Sequence, residues 1–258
     1  MPGPGGLSVV SDQSKRDVFR SVARCPNVAL CLETDSLHPC RDIVQFQGVT
    51  SGEDFQVPEP WIGQIDIAPI LFVASNPSIG KDDHSKGRAT DDAIWDAHQF
   101  AFGGGSRQYI VGGTKTTSAD GAVLKNVAYW SSVRARAREL IPEREVVPGA
   151  DYALTEIVHC KTTREFGVGA AAQTCAKMHL ERVLSVAAAC LVVVLGVVAR
   201  RALLPDLIRS NGIVDKVVGG RQRTVVALPH PNERGSLKSF HGNYGPSDIA
   251  DLRARLAI

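Results

Sequence analysis

The sequence predicts an α/β chain, a three-layer α/β/α sandwich around a mostly parallel four-stranded sheet. Four apolar runs of strand length carry this expectation: Ile70 to Ala74, Ala153 to His159, Leu191 to Leu195 and Thr224 to Leu228, all rich in β-branched residues. Segments with helical apolar spacing separate them. The runs are apolar at successive positions rather than at alternate ones, as strands covered by helices on both faces require.

In chain order, the start Met1-Pro-Gly-Pro-Gly-Gly lacks the basic residues, apolar centre and cleavage site of a secretory leader. Residues 1–13 are therefore expected to be a flexible tail, and the protein to be cytoplasmic. Beyond the first strand, Lys81 to Gly121 is far longer than the ~12 to 15 residues usual for a loop. It reads as a functional loop partly ordered by Trp95, Phe100, Phe102 and Tyr109. Val127, Trp130, Val133, Ala137 and Leu140 form one helical stripe, and Leu180, Val183, Leu184 and Ala187 another. Val183 to Ala199 is apolar but shorter than the roughly 20 residues of a spanning helix, and Gly196 interrupts it, so no membrane segment is expected. A last helix is expected from Ser247, with Ile249, Leu252 and Leu256 facing inward. With no repeat and no linker, the chain 1–258 reads as one domain.

At 258 residues, 44% hydrophobic and 22% charged, the chain has enough apolar material for a sizeable core, which excludes disordered and disulfide-stapled miniprotein classes. A net charge of +2, from 29 basic and 27 acidic residues, neither requires nor forbids a nucleic-acid partner. Six cysteines without an export signal point to a metal or reactive thiols rather than to disulfides.

Ligands of open α/β sheets bind beyond the carboxyl ends of the strands, so the residues just after each run are the place to look for chemistry. The first run is followed by Ser75-Asn76-Pro77-Ser78, by itself an ordinary capping turn. After the last comes Pro229-His230-Pro231 and then Asn232 to Leu237. A histidine fixed between prolines is barred from a helix interior and can present a donor to a cleft. The second run ends in His159-Cys160-Lys161, with Cys175 fifteen positions after Cys160.

Taken together, Ala74-Ser75-Asn76-Pro77-Ser78, the Cys160-Lys161 pair with Cys175, the stretch Leu191 to Leu203 and His230-Pro231 resemble the uracil-DNA glycosylase superfamily, in particular its iron-sulfur branch. The resemblance spans Ile70 to Arg234. It implies a DNA-repair enzyme that hydrolyses the N-glycosidic bond of a flipped uracil in DNA and leaves an abasic site, acting as a monomer on nucleoid DNA without a nucleotide cofactor. Asn76 then positions water and His230 donates to the departing base. Ser75, Pro77, Ser78, Glu156 and a stacking Phe102 contact the base. Asn232, Arg234 and Leu237 enter the duplex, while Lys161, Arg164 and Arg107 approach phosphates. A 4Fe-4S cluster is held by Cys160 and Cys175 with two of Cys25, Cys31 and Cys40, and Cys190 is left as a core thiol.

The chain departs from that branch at two places. Ser75-Asn76 replaces the usual acidic residue of the first motif and is closer to the mismatch-type glycosylases, so water is oriented by an amide rather than deprotonated by a base. Glu156 stands where many members carry an asparagine that reads the uracil edge, which leaves a different deaminated base open. Two rival readings remain: a DNA-binding member of the fold that has lost excision, and an unrelated α/β protein with a structural zinc.

Overall fold

In a computed structural model, residues 11–33, 35–80, 85–105, 108–118, 120–207, 212–231 and 238–256 are described. Three helices come first: α1 (Asp12–Ala23), α2 (Pro26–Leu32) and α3 (Arg41–Gln45). The Ser11 hydroxyl accepts from the Ser14 backbone N–H and starts α1 at Asp12, so the end of the stretch expected as a tail is helical. Next come β1 (Ile70–Ala74) and α4 (Asp91–Gln99), then a small antiparallel sheet of β2 (Ile110–Val111), β3 (Lys115–Thr117) and β4 (Val123–Asn126). Thus the long segment expected as a loop contains a helix and a hairpin-like sheet. Trp95 orders it, packing edge-on against Phe19 and Trp61 with ring centroids 5.1 and 6.1 Å away.

Helix α5 (Ala128–Leu140) leads to β5 (Tyr152–Glu156). A continuous helical rod follows, α6 (Val168–Cys175), a π-helical turn over Ala176–Leu180 and α7 (Glu181–Val186). The chain closes with β6 (Leu191–Leu195), α8 (Gly196–Leu203), β7 (Ile213–Val218), β8 (Arg221–Leu228) and α9 (Pro246–Arg255).

The main sheet has five strands in the order β5-β1-β6-β8-β7. Strands β5, β1, β6 and β8 are parallel, with Ile70 beside Tyr152 and Leu191, and Leu195 beside Leu228. The fifth strand, β7, runs antiparallel to β8 and was not expected. Its sequence, with exposed Asp215 and Val217, has the half-solvated character of an edge strand rather than of the buried parallel ones. Gly219-Gly220 joins the two strands with φ of +58° and +72°, and a Cβ on Gly219 would lie 2.4 Å from the Leu184 carbonyl carbon.

Alternate residues of each central strand enter opposite cores. Leu71, Val73, Val192, Val194, Val225 and Ala227 pack with α1, α6, α7 and α8, whereas Ile70, Phe72, Val193, Val226 and Leu228 pack with α5 and α9. This is the three-layer arrangement, its two hydrophobic interiors meeting at a sheet dry on both faces. Arg223 on β8 is buried, has no ion pair among the described residues, and donates to the carbonyls of Ala189, Val218 and Ala187 at 2.9, 2.8 and 2.6 Å. Among the described residues no helix is long and apolar enough to cross a membrane.

Candidate active site

Because four strands are parallel, their carboxyl ends share one edge, where a cavity of about 1070 Å³ opens. Its walls come from the segment after β1 (Ser75, Asn76, Pro77, Ser78), the end of β5 (Glu156), the β6–α8 turn (Gly196, Val197) and the segment after β8 (Pro229, His230). The sequence singles out Ser75, Asn76, Pro77, Ser78, Glu156 and His230 among these, and the fold places them on one wall system with Gly196 and Val197.

The segment after β1 is fixed to that after β5. Ile157 and Val158 donate backbone N–H groups to the Ala74 and Ser75 carbonyls at 2.9 Å, and Thr162 donates to Pro77 O at 3.2 Å. The Asn76 amide is oriented with equal definition. Its Nδ2 faces Pro77 O at 3.0 Å, Cys160 O at 3.4 Å and Thr162 Oγ1 at 3.0 Å. Two of these partners are carbonyls that only accept, so nitrogen must occupy that side and Oδ1 is the amide's remaining acceptor. His230 is half-buried and its ring lies 6.3 Å from that of Tyr129. Gly196, with φ +81°, permits this approach, since a Cβ there would come within 3.3 Å of His230 Cβ.

Beneath the wall lies an acidic pair. Glu156 is 4% exposed, and its Oε2 has no hydrogen-bond partner among the described residues. Burial, and then the neighbouring Glu59, push its carboxyl well above the ordinary carboxylate range, against the opposing pull of Lys161. Lys161 is itself engaged, its Nζ 3.4 Å from Glu59 Oε2. The Tyr129 hydroxyl is also buried, with no partner among the described residues; desolvation raises its pKa, with Glu156 the largest charge effect on it.

Other expected site residues lie elsewhere. Lys161 is 3% exposed and paired with Glu59, so it does not reach a phosphate. Phe102 stands edge-on to Tyr152 at 5.7 Å in the core beneath α5, and Tyr129 and Trp130 are the aromatics that line the cavity. Arg164 is exposed at the cavity rim, in a left-handed backbone conformation with φ +53°. Arg107, Asn232, Arg234 and Leu237 lie outside the described residues. Sequence reasoning missed Glu59, Tyr129, Thr162 and Arg200 at the cavity. Glu59 sits in the Pro58-Glu59-Pro60 segment, which has no strand or helix periodicity, and Tyr129 was concealed within a helix stripe.

A second, small cavity is lined by four cysteines from four chain segments: Cys25, Cys40, Cys160 and Cys175, with His159 and His179 beside them. Burial raises all four thiols, those of Cys40 and Cys175 to about 12. Cys31 has a different partner, its Sγ lying 3.4 Å from His38 Nδ1. That nitrogen accepts the Cys40 backbone N–H at 3.1 Å, so it acts as the acceptor for the Cys31 thiol as well. Cys190 faces the Pro69 and Arg255 carbonyls, away from the cluster. Among the described residues, no three His, Cys, Asp or Glu side chains converge on a position for one ion. A four-iron cluster makes a different demand, because each thiolate binds its own iron and the sulfur atoms surround the cluster rather than meet at a point. The donor chemistry of Cys25, Cys40, Cys160 and Cys175 fits that group.

No protein-family model matches the chain, and no curated protein matches it. Fold and site define an α/β/α chain with a cavity at the carboxyl edge of its parallel strands and a separate nest of buried and half-buried thiols.

Proposed function

We propose that the protein is a monofunctional DNA glycosylase that excises a flipped uracil. The observation that carries this reading is the meeting of Asn76 and His230 at one cavity, each just beyond the carboxyl end of a parallel strand. The cavity is of the size that accommodates a nucleobase and part of its sugar. In hydrolysis a water oxygen bonds to the anomeric carbon while the bond to the base nitrogen breaks, the base leaving with the electron pair and the proton that the water gives up finally neutralising the departed base. Cationic character then grows on the sugar and negative charge on the base. Asn76 Oδ1 orients the water, with its amide held by Thr162 and two carbonyls. His230 donates to the base oxygen, and Ser75, Pro77 and Ser78 shape the wall. The target must leave the duplex first, at a cost of a few kcal/mol, a task assigned to Asn232, Arg234 and Leu237.

A 4Fe-4S cluster on Cys25, Cys40, Cys160 and Cys175 belongs to the same reading. Its contribution is mechanical, tying the α1–α3 region to the segment after β5 and hence to the backbone that holds Asn76. The DNA partner, the monomeric state and cytoplasmic action on the nucleoid are parts of this proposal.

The test is a set of duplex and single-stranded oligonucleotides bearing one uracil or another deaminated base, scored for alkali-sensitive abasic sites under single-turnover conditions. The wild type should cleave the uracil substrate. His230→Ala should lose about 100-fold or more, as expected for removal of a donor to developing charge. Wild-type rates in folded His230→Ala and Asn76→Ala proteins would show that this mechanism is wrong.

A further inference from the structure

Two cysteine–histidine pairs in this chain have the same length and opposite polarity. Cys31 Sγ lies 3.4 Å from His38 Nδ1, and that nitrogen already accepts the Cys40 backbone N–H at 3.1 Å, so it cannot donate to sulfur. Cys25 Sγ lies 3.4 Å from His179 Nε2, where nothing imposes that restriction. His179 is 2% exposed, and its Nδ1 has no partner among the described residues. His159, the other histidine beside the nest, gives its Nδ1 proton to the Glu59 carbonyl at 2.7 Å, which leaves Nε2 of the neutral ring an acceptor. The His159 ring stands edge-on to that of His179, with centroids 5.6 Å apart. Cys175, just before the π-helical turn over Ala176–Leu180, and His179 within it both line the nest. Such turns are rare and concentrate at functional sites. His179 also lines an outer cavity beside Arg20, Arg24 and Arg182, and is the residue that nest and outer cavity share.

We propose that His179 is a positioning residue for the iron-sulfur cluster, donating its Nε2–H to the Cys25 thiolate and raising the cluster's reduction potential. This rests on the reading of Cys25, Cys40, Cys160 and Cys175 as cluster ligands. A ligating sulfur is a thiolate that only accepts, so the proton of the pair sits on Nε2. The bond stabilises negative charge on the sulfur and therefore favours the more negative, reduced cluster over the oxidised one. Oxidation becomes harder, and the tie between the α1–α3 region and the segment after β5 is protected from oxidative loss.

The full chain is purified anaerobically as wild type, His179→Phe and His179→Gln, iron and sulfide are counted, and the midpoint potential is read by film voltammetry. Phenylalanine keeps a flat ring without a donor, and glutamine returns an N–H near the Nε2 position. His179→Phe should be reduced about 10-fold less favourably, a midpoint about 59 mV lower for one electron, while His179→Gln stays within about threefold of the wild type. In air, His179→Phe should lose its visible absorbance faster than the wild type. An unchanged midpoint in His179→Phe carrying its full iron would overturn the proposal. Where His179→Phe loses the cluster, the wild type decides alone: reduced and carrying isotopically labelled histidine, it should show spin-echo modulation from a histidine nitrogen, and none would overturn the proposal. A wild type without iron and sulfide rejects the cluster reading and this inference with it. A full cluster whose potential ignores His179 rejects the inference alone.

Discussion

Replacing Glu156 by glutamine tests whether the buried carboxyl is neutral in the folded protein, without reference to activity. The side chain is 4% exposed, its Oε2 has no partner among the described residues, and desolvation and Glu59 raise its pKa well above the usual 4.5. In the unfolded chain the group ionises through its ordinary range; in the folded chain it keeps its proton. Between those two points the native state holds one more proton than the unfolded state, so stability falls as pH rises, by up to about 1.4 kcal/mol per pH unit. Below the unfolded value both states are protonated and the penalty vanishes. Glutamine has nearly the same shape and never ionises. From pH 5.5 to 7.5 the variant should therefore gain up to roughly 3 kcal/mol on the wild type, two units at that slope. Urea unfolding of both proteins at several pH values, read as the difference in extrapolated stability, measures this directly, because every other titrating group is shared. A difference that stays constant with pH would mean that Glu156 ionises normally in the folded state.

Other substitutions separate structural from functional roles. Lys161→Met leaves the buried Glu59 carboxyl with only the His98 ring, 3.8 Å from its Oε2, and should cost about 3 to 5 kcal/mol in denaturant unfolding, while the salt dependence of DNA binding stays unchanged; a shallower salt slope would return Lys161 to a phosphate. Cys160→Ser should abolish iron and sulfide in anaerobically purified protein, whereas Cys31→Ser and Cys190→Ser should retain both; a colourless wild type containing zinc would refute the cluster. Arg223→Leu strands the Ala187, Ala189 and Val218 carbonyls and should lower stability by about 3 kcal/mol or more, and a loss under 1 kcal/mol would show that water satisfies them.

The parallel strands were legible because burial on both faces leaves a run of apolar residues that needs no partner to be recognised. Strand β7 was not, since Asp215, Lys216 and exposed Val217 mark a solvated edge that any loop can imitate, and only pairing with β8 makes it a strand. The helix α4 was hidden for another reason: its apolar residues, Ile94 and Trp95, are too few to form a stripe and are stabilised by Phe19, which is distant in sequence.

The same distinction governs the site. Asn76 and His230 follow strands, so strand ends located them, whereas Glu156 is the last residue of β5, inside the run expected as the second strand, and was singled out only by the resemblance. Lys161 follows a strand as well, but sequence position gives no direction: the segment after β5 turns it under the sheet edge to meet Glu59, while Arg164, three residues on, remains exposed. Phe102 and Tyr129 differ in the same manner. Both are aromatic and near the cavity in sequence, but Phe102 meets Tyr152 in the core and Tyr129 begins the helix whose first turn forms the wall. Glu59 explains why such errors are systematic. Its own backbone N–H donates to His159 O and its carbonyl accepts from His159 Nδ1, so the segment before β1 is tied to the segment after β5 at both polar groups of one peptide residue. That tie places the acid under Glu156 and gives Lys161 its partner. The electrostatic character of the pocket is therefore shaped in part by a residue with no motif of its own: burial first, and then Glu59, raise the Glu156 carboxyl well above the ordinary carboxylate range.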